Sequence, residues 1–336
     1  MRAAPLLACA AALLPATACS KDSPGGTETA ESASPLPSAP AAPLDATYAA
    51  PPFVPAAPQA TIELLDPGQP PRRGLRYVWH VSQKEQLAVD LRMSATTDVG
   101  GVKQPEIPMP AVHIAIAIEP QSVSPEGDLH YAWHVTGATL QAEPGTSAEI
   151  ADGMRAQVVP IEHMSGTAVE TAQGLSKDVV IDPGSLDAGG QSQMVVQVVE
   201  TLRDLAAPLP SENVGVGARW QELARLDARN ANAAQTDTFT LTSMKGDTGA
   251  LNDARAQTAS PQALATVPGG PPARIESMLI SGEAKTRFSL TRLVPQMTFD
   301  GTTQMAVSGQ ASKGPARVTI NMRVRIALEG TTGAGR

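Results

Sequence analysis

The chain has 336 residues, of which 42% are hydrophobic, 17% charged and 3% aromatic, and its formal net charge is -8. That apolar fraction suffices for a packed core, but no clustered Lys/Arg supplies the counter-ion release on which nucleic-acid binding rests. Two cysteines make neither a disulfide framework nor a four-ligand zinc site. No apolar run long enough to span a membrane follows the N-terminal segment.

Residues 1–18 read as a secretory signal: Arg2, a short apolar stretch from Ala3 to Leu14, then small residues before Cys19. Ala16-Thr17-Ala18-Cys19 resembles a bacterial lipobox, with Cys19 as the lipidated mature N-terminus. Ala16 stands where Leu is usual, and the same residues fit an A-x-A cleavage site, so secretion with a free Cys19 is the alternative. Ser20 rather than Asp follows, which by resemblance to sorted lipoproteins favours the outer membrane over a soluble periplasmic or secreted state. Residues 19–60 form the lipidated cysteine and a linker with nine prolines. Such a composition buries too little apolar surface to order itself. In polyproline II at ~3.1 Å per residue it reaches on the order of 100 Å.

From residue 61 the apolar period is mostly two, the mark of strands with one dry and one wet face, normally antiparallel. Leu87, Val89, Leu91 and Met93 alternate with polar or small residues, as do Val112, Ile114, Ile116 and Ile118. The longest alternation runs over 318–328, through Val318, Ile320, Met322, Val324, Ile326 and Leu328. Further strands are expected at 74–82, 127–142, 166–172, 176–182, 217–227, 235–244, 248–257, 272–280, 283–292 and 296–307. Two segments carry helical spacing instead. Residues 146–159 open on a capping box, Thr146-Ser147-Ala148-Glu149. Residues 191–206 place Met194, Val195, Val198, Val199, Leu202 and Leu205 on one stripe that Pro208 and Pro210 terminate. Tyr77-Val78-Trp79-His80-Val81 is echoed by Tyr131-Ala132-Trp133-His134-Val135, which reads as two aromatic strands with similar packing. The expected fold is α+β, predominantly antiparallel β: a large curved sheet or unclosed barrel with two inserted helices over 61–329. Residues 330–336 read as a disordered tail.

The stretch Pro208 to Trp220, PLPSENVGVGARW, is joined by Leu75-Arg76-Tyr77 and by Gly282 with the run from Phe288 to Pro295. Together they resemble an uncharacterised family of bacterial envelope lipoproteins of about 300 residues, over residues 61 to 328. The resemblance implies a β-rich architecture and an envelope location, and carries no catalytic residue across. Read from the residues alone, Gly215 and Gly217 permit a tight turn or close backbone approach, and Trp220 anchors the strand that follows. A phosphate loop is a poor reading, because no Lys-Ser/Thr follows the glycines and a strand rather than a helix comes next.

No hydrolase, zinc-protease or calcium-loop motif is present. His130 and His134 lie four apart on an expected strand, which separates them by about 13 Å, so they share no metal. The carboxylates Asp187, Glu200 and Asp204 fit a solvated helix face. Six methionines fall on apolar faces: Met93, Met194, Met278, Met297, Met305 and Met322. Their adaptability suits either a groove for varied apolar ligands or the filling of an aromatic-poor core. The expectation is a non-catalytic protein without cofactor or metal, held to the membrane at Cys19. It carries or senses an apolar small molecule or lipid. The alternative is a structural or partner-binding lipoprotein with a filled core.

Overall fold

The computed structural model describes residues 60–182, 193–203, 205–228, 231–264, 273–311 and 314–332. The signal, Cys19 and the linker lie outside the described residues.

In chain order, β1 (Thr61–Asp66), β2 (Arg73–Gly74), β3 (Glu85–Val99), β4 (Val102–Lys103), β5 (Ile107–Pro108), β6 (Ala111–Val123) and β7 (Leu129–Gln141) come first. Helix α1 (Ala148–Val158) and a 3-10 turn (Val159–Ile161) follow, then β8 (Ser165–Glu170), β9 (Ser176–Ile181) and helix α2 (Gln193–Arg203). The chain ends with β10 (Asn213–Val214), β11 (Arg219–Ala228), β12 (Ala231–Lys245), β13 (Thr248–Ala259), β14 (Gln262–Leu264), β15 (Ala273–Ser289), β16 (Gln296–Ala311) and β17 (Gly314–Thr332).

The fold is α+β with a dominant antiparallel sheet, which forms one path, β1-β11-β12-β13-β15-β16-β17-β3-β6-β7-β8-β9. Two meanders, one from β11 to β17 and one from β3 to β9, are joined where β17 pairs with β3, from Val318↔Val99 to Thr332↔Glu85. The sheet does not close into a barrel: β1 and β9 are its two ends. Every long strand buries alternate side chains, and the buried apolar residues of both meanders form a single core cluster. One dry face thus runs across the sheet, and the sheet curves around its own side chains together with the two helices.

Local chemistry explains the details. Ser147, not Thr146, is the N-cap of α1; its Oγ accepts from the Ile150 amide at 3.3 Å. Val195, Val198, Val199, Leu202 and Leu205 are buried, as the α2 stripe requires. Glu200 is buried too and accepts from Arg203 Nη1 at 3.0 Å, which corrects its assignment to a solvated face; Asp187 and Asp204 lie outside the described residues. Pro120 is tolerated in β6 because the register shifts there, between Pro120 and Ser122.

Three expected elements differ. Residues 75–80 alternate in burial but join no strand ladder, because the Tyr77 and Val78 amides donate to loop carbonyls, Ala172 O and Leu290 O. The echoed motif is therefore one strand, β7, and one extended plug whose Tyr77 and Trp79 rings stack at 4.5 Å. The expected strands 272–280 and 283–292 are a single strand, β15, since Gly282 sits in register between Arg255 and Gly301. Gly330 to Thr332, expected in a disordered tail, instead pair with Leu87 to Glu85 and complete β17. Residues 333–336 lie outside the described residues.

Candidate functional site

Among the described residues, polar chemistry gathers on the inner face of β11–β13 and in a groove on the wet face of β15, β16, β17 and β3.

The first place is built by strand alternation. On β13, Leu251, Asp253, Arg255, Gln257 and Ala259 face inward, and Asn252, Ala254, Ala256 and Thr258 face water. The same rule turns Gln235, Asp237 and Phe239 of β12 inward, and Trp220, Glu222 and Ala224 of β11. Register places them in rows: Glu222, Asp237, Arg255 and Gly282 in one, Trp220, Phe239, Asp253 and Ala284 in the next. A polar seam thus lies on the dry face. Arg255 donates to Asp237 in a fork, Nε to Oδ1 at 2.7 Å and Nη2 to Oδ2 at 3.1 Å. Gln235 Nε2 adds a bond to Asp237 Oδ2 at 2.7 Å. On its other side Arg255 lies over the Phe299 ring, 5.6 Å from its centre. That ring lies flat because Gly282 and Gly301 leave room; a Cβ at either would lie 2.5 Å from it.

The wet-face groove encloses about 470 Å³. Its lining includes Ser94, Glu106, Thr302, Gln304, Asn321 and Arg323, with half-exposed Leu279 and buried Met322 as its large apolar members. The segment between β3 and β6 forms one wall: β5 pairs with β3, and Ser94 Oγ donates to Glu106 Oε1 at 2.5 Å. Gln304 Nε2 donates to Asn321 Oδ1 at 3.3 Å across β16 and β17. The surface mixes hydroxyl, amide and charged groups with a comparable share of apolar area, and the former are suited to hydrogen-bonded contact with a partner.

Of the predicted residues, Met322 is also in the lining of this groove, and the others fall elsewhere. Met93, Met278, Met297, Met305 and Met322 are all on the dry face, each at most 6% exposed. Met278 is the cross-strand partner of Met305, and Met322 that of Thr303. Met194 is in α2, and its side chain lies outside the described residues. Gly215, Gly217 and Trp220 come together at one end of the sheet. A Cβ on Gly215 would lie 1.8 Å from the Gln69 carbonyl oxygen, and Gly217 has φ +84°. Trp220 Nε1 donates to Pro208 O at 2.9 Å, and its ring stacks on Phe239 at 5.8 Å. Arg76 Nη1 donates to Pro210 O at 2.8 Å. The PLPSENVGVGARW stretch is therefore a structural plug: it ties the extended segment before β3 to the start of β11.

The spacing of residues in the sequence does not mark the seam. Its signal is an inversion: Glu222 is buried while neighbouring Leu223 is more than a third exposed. Elsewhere, His113 Nδ1 contacts Asp90 and its Nε2 lies 3.2 Å from Gln141 Oε1, a surface cross-strand arrangement with no nucleophile in its bonds. His130 and His134 both point to solvent from β7. Among the described residues no group of three His, Cys, Asp or Glu side chains is placed to hold a metal ion, and no helix is long and apolar enough to cross a membrane.

The fold is thus an open antiparallel roll with two inserted helices and its own side chains on its inner face. No protein-family model, curated protein or solved structure matches the chain.

Proposed function

We propose that the protein is a secreted lipoprotein of the bacterial envelope, anchored at Cys19. Its filled β-rich body acts without catalysis, by holding a partner on the wet face of the sheet. The observation that carries this reading is the location of the groove: about 470 Å³ of space lies on the wet face among Ser94, Glu106, Thr302, Gln304, Asn321 and Arg323, and of the six candidate methionines its lining includes Met322 alone. A carrier of an apolar ligand needs a continuous apolar cleft of roughly 300 Å³ or more. The methionines that would line it are instead buried against neighbouring strands. The Pro-rich linker supports the reading, since a long tether lets a membrane-bound body reach a partner at a distance.

Photo-crosslinking in intact cells tests the docking face. A probe at Gln304 or Asn321 should give one discrete adduct, while a probe at exposed His134 gives none. No adduct from the groove positions, or the same adduct from all three, contradicts the proposal. Mass spectrometry of the mature N-terminus tests the anchor; an unmodified Cys19 removes it.

A further inference from the structure

The seam holds three inward carboxylates, Glu222, Asp237 and Asp253, and one guanidinium, Arg255, all at most 4% exposed. Asp237 is well matched: it takes both the Nε and Nη2 donors of Arg255 and the Gln235 amide. Asp253 is not. Its Oδ2 lies 3.9 Å from Arg255 Nη2, and neither of its oxygens accepts a hydrogen bond. Its cross-strand neighbours are Phe239 on β12 and Ala284 on β15. Gln257, 1% exposed, likewise leaves both its amide oxygen and nitrogen without a hydrogen-bond partner.

A guanidinium committed in a fork to one carboxylate cannot serve a second equally. A buried carboxylate without a matching cation pays the full cost of dehydration unless it takes up a proton. Among the described residues, the charged groups facing Asp253 are Asp237 from β12, Arg255 from its own strand and Glu222 from β11; the nearby inward positions of β15 and β16 are Ala284, Gly282, Gly301 and Phe299. Burial is the largest influence on its carboxyl and Asp237 the next. Arg255 opposes them, Glu222 adds to them, and the group is raised from 3.8 to about 7.

We propose that Asp253 is a proton-operated lock on the β11–β13 wall of the roll. With the proton in place, the seam carries one fewer buried charge and the wall stays seated on Phe239, Phe299 and the core. With the proton lost, Asp253 and Asp237 compete for Arg255, and β12 and β13 open toward water before the apolar half does. The linkage has one sign. Because the folded-state value lies above the unfolded one, the lock's contribution is complete below about 3.8. It declines as pH rises and is lost once pH passes about 7. Glu85 is a second buried acid pushed upward, by burial, but it faces Arg292 and the Leu293 and Val294 amides at the start of β3. Its titration therefore acts on a different part of the sheet.

Hydrogen-exchange mass spectrometry on the full chain, from about pH 5 to about pH 8 and corrected for intrinsic exchange, separates the two. Protection of β12 and β13 should fall by about tenfold per pH unit up to about pH 7, the slope of one linked proton. Residues 318–328 should change far less. In Asp253→Asn the fall in β12 and β13 should vanish. Unchanged protection in the wild type, or an equal fall in the variant, overturns the proposal. Should the variant not fold, infrared spectroscopy of Glu85→Gln, which removes the other raised acid, decides. A protonated-carboxyl stretch that persists at about pH 6 supports the lock; absence of that band overturns it.

Discussion

Strands β13 and β17 obey the same geometry and use it differently. Both bury every second side chain. On β17 those side chains are Ile320, Met322, Val324, Ile326 and Leu328; on β13 they are Leu251, Asp253, Arg255, Gln257 and Ala259. The apolar half gains stability from burial without needing any particular partner. The seam gains it only where each polar group is matched, and Asp253 and Gln257 are not hydrogen-bonded. Depth alone therefore does not set local stability: two equally dry strands are held by different physics, one indifferent to pH and one dependent on it.

Substitutions can break the contrast at either end. The largest effect is expected from Arg255→Met, which leaves Asp237 buried without its fork. Denaturant unfolding near neutral pH should show a loss of ~3–5 kcal/mol, shrinking at acidic pH as the carboxylates take up protons. On the apolar half, Ile326→Ala should cost ~2–4 kcal/mol by transfer and cavity terms, with the same value at acidic and neutral pH. Trp220→Phe keeps the ring contact with Phe239 and removes the bond to Pro208 O, for a loss of about 1 kcal/mol. The smallest effect is expected on the wet face. Arg325→Ala breaks its pair with Asp300, in which both side chains are about two-thirds exposed, and should move stability by less than ~0.5 kcal/mol.

The same contrast marks what could be read from the sequence. The alternation in 318–328 announces both a strand and its dry side, because one face is wholly aliphatic. In 248–257 the period is visible but the side is not. The outward residues Ala254 and Ala256 are less polar than the inward Asp253, Arg255 and Gln257, so hydrophobicity points the wrong way. Only the cross-strand pairing of Arg255 with Asp237, 18 residues apart, explains why charges turn inward. Residues 75–79 fail for the opposite reason. Leu75, Tyr77 and Trp79 alternate as a strand does, yet the Tyr77 and Val78 amides donate to loop carbonyls, a long-range fact that spacing does not carry. The glycines and tryptophan of VGVGARW are legible as a turn and an anchor. That the turn packs on Gln69 is not, since the two segments are far apart in sequence. The groove depends on β5 folding back along β3, again a tertiary contact.

A filled inner face, occupied by the protein's own side chains, underlies the proposed role. Native mass spectrometry of the full chain, gently extracted and followed by solvent extraction of the same sample, tests it most directly. The expected result is a mass equal to the processed, lipidated chain alone and no stoichiometric lipid in the extract. One additional lipid bound per chain, released only on unfolding, would contradict it.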